Sequence, residues 1–361
     1  MRIAWTSDLH VDQNRQAAKL VAARMELLRP DLAVIAGDVS HVLPALEEAL
    51  ATIAAGARAG GALATLFVAG NHDLWVDPRA GGDSATKLRR DLPAACGRAG
   101  VQMLGAPGAA PPVFARAGAE PVGFVGVPGW YDYSLRSAWL DAEVTLADYA
   151  RKRRGRLVWQ DLNFFRWPRA AAGGSGDARG NGANDGANGG ATGGANGGAN
   201  GGATGGANDG ANGGASGGAT RDANDGANGG SALESDEGVA RLMEADLAAQ
   251  LAALRGRVRR AVAVTHFLPF RELCATRQHP LWDFLNAYMG SAALGEVIRG
   301  APEVVLSLCG HTHLRREARV GRPGGGVLLA ATSPLGYPRE RDGTLEERVA
   351  DRVRVVDLDG L

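Results

Sequence analysis

Residues 64–74 read ATLFVAGNHDL, and the break in the middle of this stretch decides the fold. Ala64 to Ala69 is a short apolar run of the kind that forms a strand buried on both faces. At Gly70 it gives way to Asn71, His72 and Asp73, which no buried strand would choose. The same break recurs along the chain. RIAWTSDLH ends in Asp8 and His10, LAVIAGDVSH in Asp38 and His41, RAVAVTHF in His266, and VVLSLCGHTH in His311 and His313. Six of the seven histidines stand at such ends, so the pattern is a property of the whole chain and not of one loop.

Between these runs, residues 14–29 and 43–55 carry helical apolar spacing. Short strands separated by helices imply parallel pairing in an α/β sheet. Further strands are predicted at VQMLG, VGFVGVPG, GVLLAATS and RVRVVDLDG, the last with short connections. Two sheets packed face to face with helices outside would bury this many strands. Parallel strands deliver their C-terminal ends to one rim, where open α/β folds place ligand sites. The polar ends should therefore converge there.

Imidazoles, carboxylates and one carboxamide, with no thiolate among them, suit hard or borderline divalent cations. Asp8 and His10, two apart at a strand end, fall on one face and can grip one ion together. His311 and His313 can diverge to serve two ions, and Asp38, with two oxygens, is the natural bridge. Gly37, Gly70 and Gly310 each precede a candidate ligand, where a Cβ would be in the way.

The set DLH, GDVSH, GNHD, TH and GHTH resembles the motifs of the calcineurin-like metallophosphoesterases, and spans residues 8 to 313. The resemblance implies a four-layer αββα sandwich of two mixed β-sheets flanked by helices. It implies one metal held by Asp8, His10, Asp38 and His313, and a second held by Asp38, Asn71, His266 and His311. The cofactors would be two divalent ions, manganese, iron or zinc. The activity implied is metal-dependent hydrolysis of phosphoric esters, as a phosphodiesterase or phosphomonoesterase. A hydroxide bridging the ions would attack phosphorus, and His72 would be the general acid at the leaving oxygen. Where most members carry a second aspartate in G-D-x-x-D, this chain has His41. A histidine there is similar to the double-strand-break-repair nuclease branch, in which it assists catalysis, so a nuclease-like phosphodiesterase is the alternative enzyme. A fold that has kept its ligands without turnover, a non-catalytic scaffold, is the alternative of another class. GWYDYSLR, HFLPF, DFLNAYMGS and SPLGYPRE are similar to an uncharacterised bacterial branch of phosphoesterases, which transfers no substrate.

Thirty-nine basic residues balance 39 acidic ones, so a broad nucleic-acid or acidic-membrane surface is not favoured. The expected partner is a phosphate-ester small molecule or a nucleotide. Cys96, Cys274 and Cys309 are odd in number and widely spaced, without a CxxC pair, which fits a reducing cytoplasm. The opening MRIAWTSDLH lacks a basic-then-apolar leader pattern, so the mature chain is expected to begin near Met1, and no apolar stretch reaches membrane-spanning length.

Residues 171–230 repeat units such as GGAN, GGAT and DGAN. With almost no apolar group larger than a methyl, this segment cannot offset its ordering entropy and is expected to be a disordered insertion. It would divide one metallophosphoesterase domain into a first part, 1–170, and a second, 231–361. Residues 130–167 hold Trp130, Tyr131, Tyr133, Trp139, Tyr149, Trp159, Phe164, Phe165 and Trp167. They are expected to form a cap whose rings either pack it onto the sandwich or stack on a substrate base. RKRRGR, Arg151 to Arg156, reads as a phosphate-attracting patch or a solvated helix end. His279 and Asn286 are further candidate rim contacts, and Cys309 is expected to pack beside GHTH.

Overall fold

The computed structural model describes residues 1–116, 118–169, 233–340 and 343–361. The strands, in chain order, are β1 (Arg2–Thr6), β2 (Leu32–Ala36), β3 (Ala64–Val68), β4 (Gln102–Met103), β5 (Val113–Phe114), β6 (Val122–Val127), β7 (Arg153–Arg154), β8 (Leu157–Val158), β9 (Arg260–Thr265), β10 (Val304–Cys309), β11 (Arg316–Gly321), β12 (Val327–Thr332) and β13 (Arg354–Asp357). One sheet has the order β13-β1-β2-β3-β4 and the other β11-β12-β10-β9-β6-β5. Both are mixed. β13 runs antiparallel on β1, while β1, β2, β3 and β4 are parallel. In the second sheet β6, β9, β10 and β12 are parallel, and β5 and β11 close its edges antiparallel.

The period-two alternation of a strand sorts its side chains into two cores. Ile3, Trp5, Leu32, Val34, Leu66 and Val68 meet Phe124, Val262, Val264, Leu306 and Leu308 between the sheets. Ala4, Ala33, Ile35, Phe67, Ala261 and Ala263 face the other way, into the core shared with the helices. Two buried faces per strand are why these segments read as unbroken apolar runs. The helices are those expected, at Ala17–Leu28 and Leu43–Ala59, with a further one at Asp236–Leu254. Ser235 caps the last, its Oγ accepting the Gly238 N–H at 3.1 Å. This helix buries Val239, Ala240, Met243, Leu247, Leu251 and Leu254, while Leu242 is exposed.

The fold is thus an αββα sandwich of two mixed sheets. The predicted disordered insertion at 171–230 lies outside the described residues. On either side of it, Pro168 and Leu233 form a bridge, and the Glu234 N–H donates to the Trp167 carbonyl at 2.8 Å. No helix among the described residues is long and apolar enough to cross a membrane.

Candidate metal centre

Strands β1, β2, β3, β9 and β10 all end on one rim, and the residues that follow them meet there. Asp8, His10, Asp38, His311 and His313 have φ of 55°, 44°, 57°, 68° and 52°, in the left-handed region that costs a non-glycine residue about 1–3 kcal/mol. They make up five of the nine non-glycine residues with positive φ among those described, so the strain is concentrated at this rim. Loop-to-loop bonds over-determine it. The Asp8 N–H donates to Gly37 O at 2.9 Å, the His10 N–H to Asp38 O at 3.0 Å, and the Gly336 N–H to Asp8 O at 3.0 Å. Gly70 is needed for space: its φ is −100°, but a Cβ would stand 2.1 Å from Asp38 Oδ1.

Three groups of donor atoms, each within a 4.8 Å span, overlap in this cleft: Asp8, His10 and His313; His10, Asp38 and His72; and Asp38, His266 and His311. Asp38 Oδ2 lies 3.3 Å from His266 Nε2 and 3.9 Å from the Nε2 atoms of both His10 and His72. His313 Nε2 is 3.2 Å from Asp8 Oδ1 and 3.1 Å from His10 Nε2, and His311 Nδ1 is 3.2 Å from His266 Nε2. Asn71 is buried here too. Its Oδ1 has no hydrogen-bond partner, while its Nδ2 donates to Asp161 at 3.0 Å.

Behind these atoms stands a layer of fixed partners. Asp73, the last residue of GNHD, accepts the backbone N–H groups of Asp38, Val39, Ser40 and Gly70 at 2.8–2.9 Å. It thereby locks the β2 loop to the β3 loop. His266 Nδ1 donates to the Ala36 carbonyl at 2.8 Å, fixing which nitrogen faces the cleft. Glu340 holds His313 Nδ1 at 2.6 Å. The Tyr337 hydroxyl lies 3.0 Å from His72 Nε2, its ring stacks on His10, and Trp75 covers His72 with ring centroids 3.7 Å apart.

Protonation alternates around the cleft. Burial lowers His266 and His313, but Asp38 carries the first up to about 9, and Asp8 with Glu340 carries the second up to about 10. Burial and the His266 charge hold His311 down at about 3, and burial and the His72 charge depress His10 well below the usual imidazole range. Each facing imidazole pair thus has one donor and one acceptor. Burial would raise Asp8, but the His313 hydrogen bond and charge bring it to about 2. Burial and Asp38 push Asp73 up to about 7 against the pull of its N–H donors.

The remaining candidates sit elsewhere. His41 is half exposed, with Nδ1 3.0 Å from Asp12 Oδ2, and does not join the groups above. Trp130, Tyr131, Tyr133, Tyr149 and Trp167 are buried among one another, so most cap rings pack the cap down. Trp159 alone of the nine reaches the candidate ligands, stacking on Tyr288 and meeting His311 edge-on. Three of the five cations of the basic run form ion pairs, Arg151 with Asp148, Lys152 with Asp236 and Arg154 with Glu143, while Arg153 and Arg156 are exposed. His279 caps the helix Pro280–Leu285, Asn286 bonds Ser137 and Ala275, and Cys309 is buried beside GHTH. Asp161, Tyr337 and Glu340 were not foreseen: Asp161 lies in a segment with no motif of its own, and SPLGYPRE, which holds Tyr337 and Glu340, carried a resemblance but no role for either side chain.

Comparison with known proteins bears on this geometry. Residues 1–161 match the family model of the calcineurin-like phosphoesterases. No curated protein matches the chain. Among solved structures, the phosphopantetheinyl hydrolase of Mycobacterium tuberculosis aligns with a TM-score of 0.58 at 19% identity, over 96% of this chain and 94% of that one. TT1561 of Thermus thermophilus aligns at 10% identity and a TM-score of 0.41, covering 92% and 88% of the two chains. A dimetal phosphatase from Danio rerio aligns at 14% and 0.40, covering 93% and 88%. The family match stops short of His266, His311 and His313, yet the fold carries all three to the rim where Asp8, Asp38 and Asn71 lie. Over residues 1–161 the chain is thus similar to the calcineurin-like phosphoesterases, and the fold with its clustered His and Asp side chains fits a metal-dependent hydrolase of phosphoric esters.

Proposed function

We propose that the cleft holds two divalent ions that share Asp38, one bound by Asp8, His10 and His313, the other by Asn71, His266 and His311. The observation that carries this reading is the chain of overlapping donor groups, the first and second sharing His10 and the second and third sharing Asp38. Two further features fit it. Asn71 Oδ1 is a buried acceptor without a partner, which normally costs about 1–3 kcal/mol and suits an oxygen reserved for a cation. The paired imidazole nitrogens at 3.1 and 3.2 Å face each other across one proton, and release of that proton would leave both lone pairs of each pair for an ion. Asparagine and imidazole with carboxylate accept manganese, iron or zinc.

When bound, such an ion pair supplies an activated water and neutralises charge on phosphoryl oxygens during in-line displacement. The protein's own part is positional. His72 turns Nε2 toward Asp38 and the Tyr337 hydroxyl. We assign it the general acid, holding its proton at Nε2. Burial lowers its proton affinity, and the charges of Asp38 and Asp161 oppose that. Tyr337 keeps the ring from turning away. The substrate is a small phosphoric mono- or diester, with a nucleotide among the candidates. The nuclease reading rested on His41, whose partner is Asp12 at the surface. β6, from before the repeat, pairs with β9, from after it, which supports reading 1–170 and 231–361 as two parts of one domain. Free cysteines at 96, 274 and 309 fit a reducing cytoplasm.

The test is metal analysis of protein reconstituted with Mn²⁺, alongside hydrolysis of chromogenic phosphomono- and phosphodiesters. Two ions per chain with turnover are expected. His72→Ala should keep both ions and lose about 10²–10⁴ in rate. Asp38→Asn should lose ions and activity together. Two bound ions with no turnover on either ester would leave the non-catalytic scaffold standing.

A further inference from the structure

Asp161 is buried, and three N–H donors converge on its carboxylate. Asn71 Nδ2 at 3.0 Å and Trp75 Nε1 at 2.6 Å share Oδ1, and Trp159 Nε1 reaches Oδ2 at 2.8 Å. These donors serve three different parts of the cleft. Asn71 offers its unpartnered Oδ1, the Trp75 ring lies against His72, and Trp159 stands edge-on to His311. Asp161 itself begins the single turn Asp161–Phe164 of the cap, 90 residues from Asn71.

A carboxamide has a donor end and an acceptor end, and a carboxylate can only accept. By taking the Nδ2 end, Asp161 obliges Asn71 to present oxygen to the cleft. By taking the indole N–H of Trp75, the same carboxylate oxygen sets the plane on which His72 rests. Resting on the two-ion reading above, we propose that Asp161 is a positioning residue for both the second ion's site and the His72 ring, so that the cap completes the centre it covers. The chain thereby links cap placement to ion affinity: displacing this turn frees Asn71 to rotate.

Calorimetric titration of the full-length, ion-free protein with Mn²⁺, read together with EPR of the loaded form, tests this. Asp161→Asn offers one acceptor oxygen and an NH₂ group to three donors, so Asn71 loses its fixed orientation. The expected result is second-ion affinity weakened about 10–100-fold with the first ion's affinity unchanged, and a loss of the spin-coupled two-ion signal. The double variant Asn71→Asp/Asp161→Asn returns a donor-to-acceptor pair with the ends exchanged, and should restore the second ion. Both ions bound at wild-type affinity in Asp161→Asn, even with a lowered Tm, would overturn the proposal. So would a double variant no better than the single one. If Asp161→Asn does not fold, Trp75→Phe, which keeps an aromatic ring beside His72 but loses the indole N–H together with its five-membered ring, is read for kcat against KM. A fall in kcat at constant KM is expected, and an unchanged kcat counts against the positioning of His72. Wild-type protein that binds fewer than two Mn²⁺ ions would instead defeat the two-ion reading itself.

Discussion

Asp73 is the residue whose chemistry is plainest. Its carboxylate is wholly buried and receives four backbone N–H groups, from both loops that carry Asp38 and Asn71. Asp73→Asn would replace one acceptor oxygen by an NH₂ facing donors. Above the value of about 7 to which burial and Asp38 push it, Asp73 is charged; with hydrogen bonds to a charged group worth about 1.5–3 kcal/mol each, a loss on the order of 3 kcal/mol is expected there. Urea unfolding of the ion-free variant measures it, and a change below about 1 kcal/mol would show that the four contacts do not act as drawn. Tyr337 makes a separate case. Its hydroxyl touches His72 Nε2 at 3.0 Å, while its ring packs on His10 and His313. Tyr337→Phe keeps the packing and removes only the hydroxyl. A fall in kcat of about 10-fold or more, with little change in KM, is expected from steady-state kinetics if the hydroxyl steadies the general acid.

The elements that matter most are loops, and they are rigid ones. The turns after β2 and β3 are stitched through Asp73 and packed so closely that a Cβ on Gly70 would overlap Asp38 Oδ1 and approach Asp38 N at 2.7 Å. A backbone atom cannot swing aside as a flexible side chain would. Gly70→Ala should therefore push the two loops apart, destabilise the fold by about 1–3 kcal/mol and weaken ion binding at the shared ligand. Thermal unfolding and Mn²⁺ titration check both parts, and unchanged ion affinity would show that the spacing between these loops is not critical. The strand edges follow a different logic. β11 carries Arg316, Glu317 and Arg319 and sits at the rim of its sheet, where charge discourages pairing with another chain.

For the molecule as a whole, the proposed centre would set ions and protons in competition for one set of imidazoles. Without ions His266 and His313 hold protons to about 9 and about 10, well above the ordinary 6.5. Their charged pairs with Asp38 and Asp8 stabilise the ion-free fold fully below pH 6.5, and that stabilisation is lost as pH rises through those values. The Asp8 contribution is present above pH 3.8 and disappears as pH falls through about 2. A ligating imidazole must be neutral, so binding two ions at pH 7 should release about two protons, and apparent affinity should rise with pH up to about 9–10. Calorimetry in buffers of different ionisation heat counts the protons; none released would contradict the pairing described. Saturation at about 100 times Kd adds about 2.7 kcal/mol, so chelation should lower Tm by about 4 °C.

Sequence alone determined the layered sandwich and the rim at which its polar strand ends gather. Buried parallel strands must be apolar throughout, and a polar cluster directly after one has to lie at its open end; both facts are local and leave a local record. Only the tertiary structure decided which groups stand behind the candidate ligands. Tyr337 meets His72 across 265 positions and Asp161 meets Asn71 across 90, through single hydrogen bonds that no spacing in either segment announces. It also decided that His41 turns to Asp12 and that the cap's aromatics pack chiefly on each other. A side chain's type is written in the chain, but its partner is chosen by the packing of strands and loops distant in sequence, and that choice exists only once the core has closed.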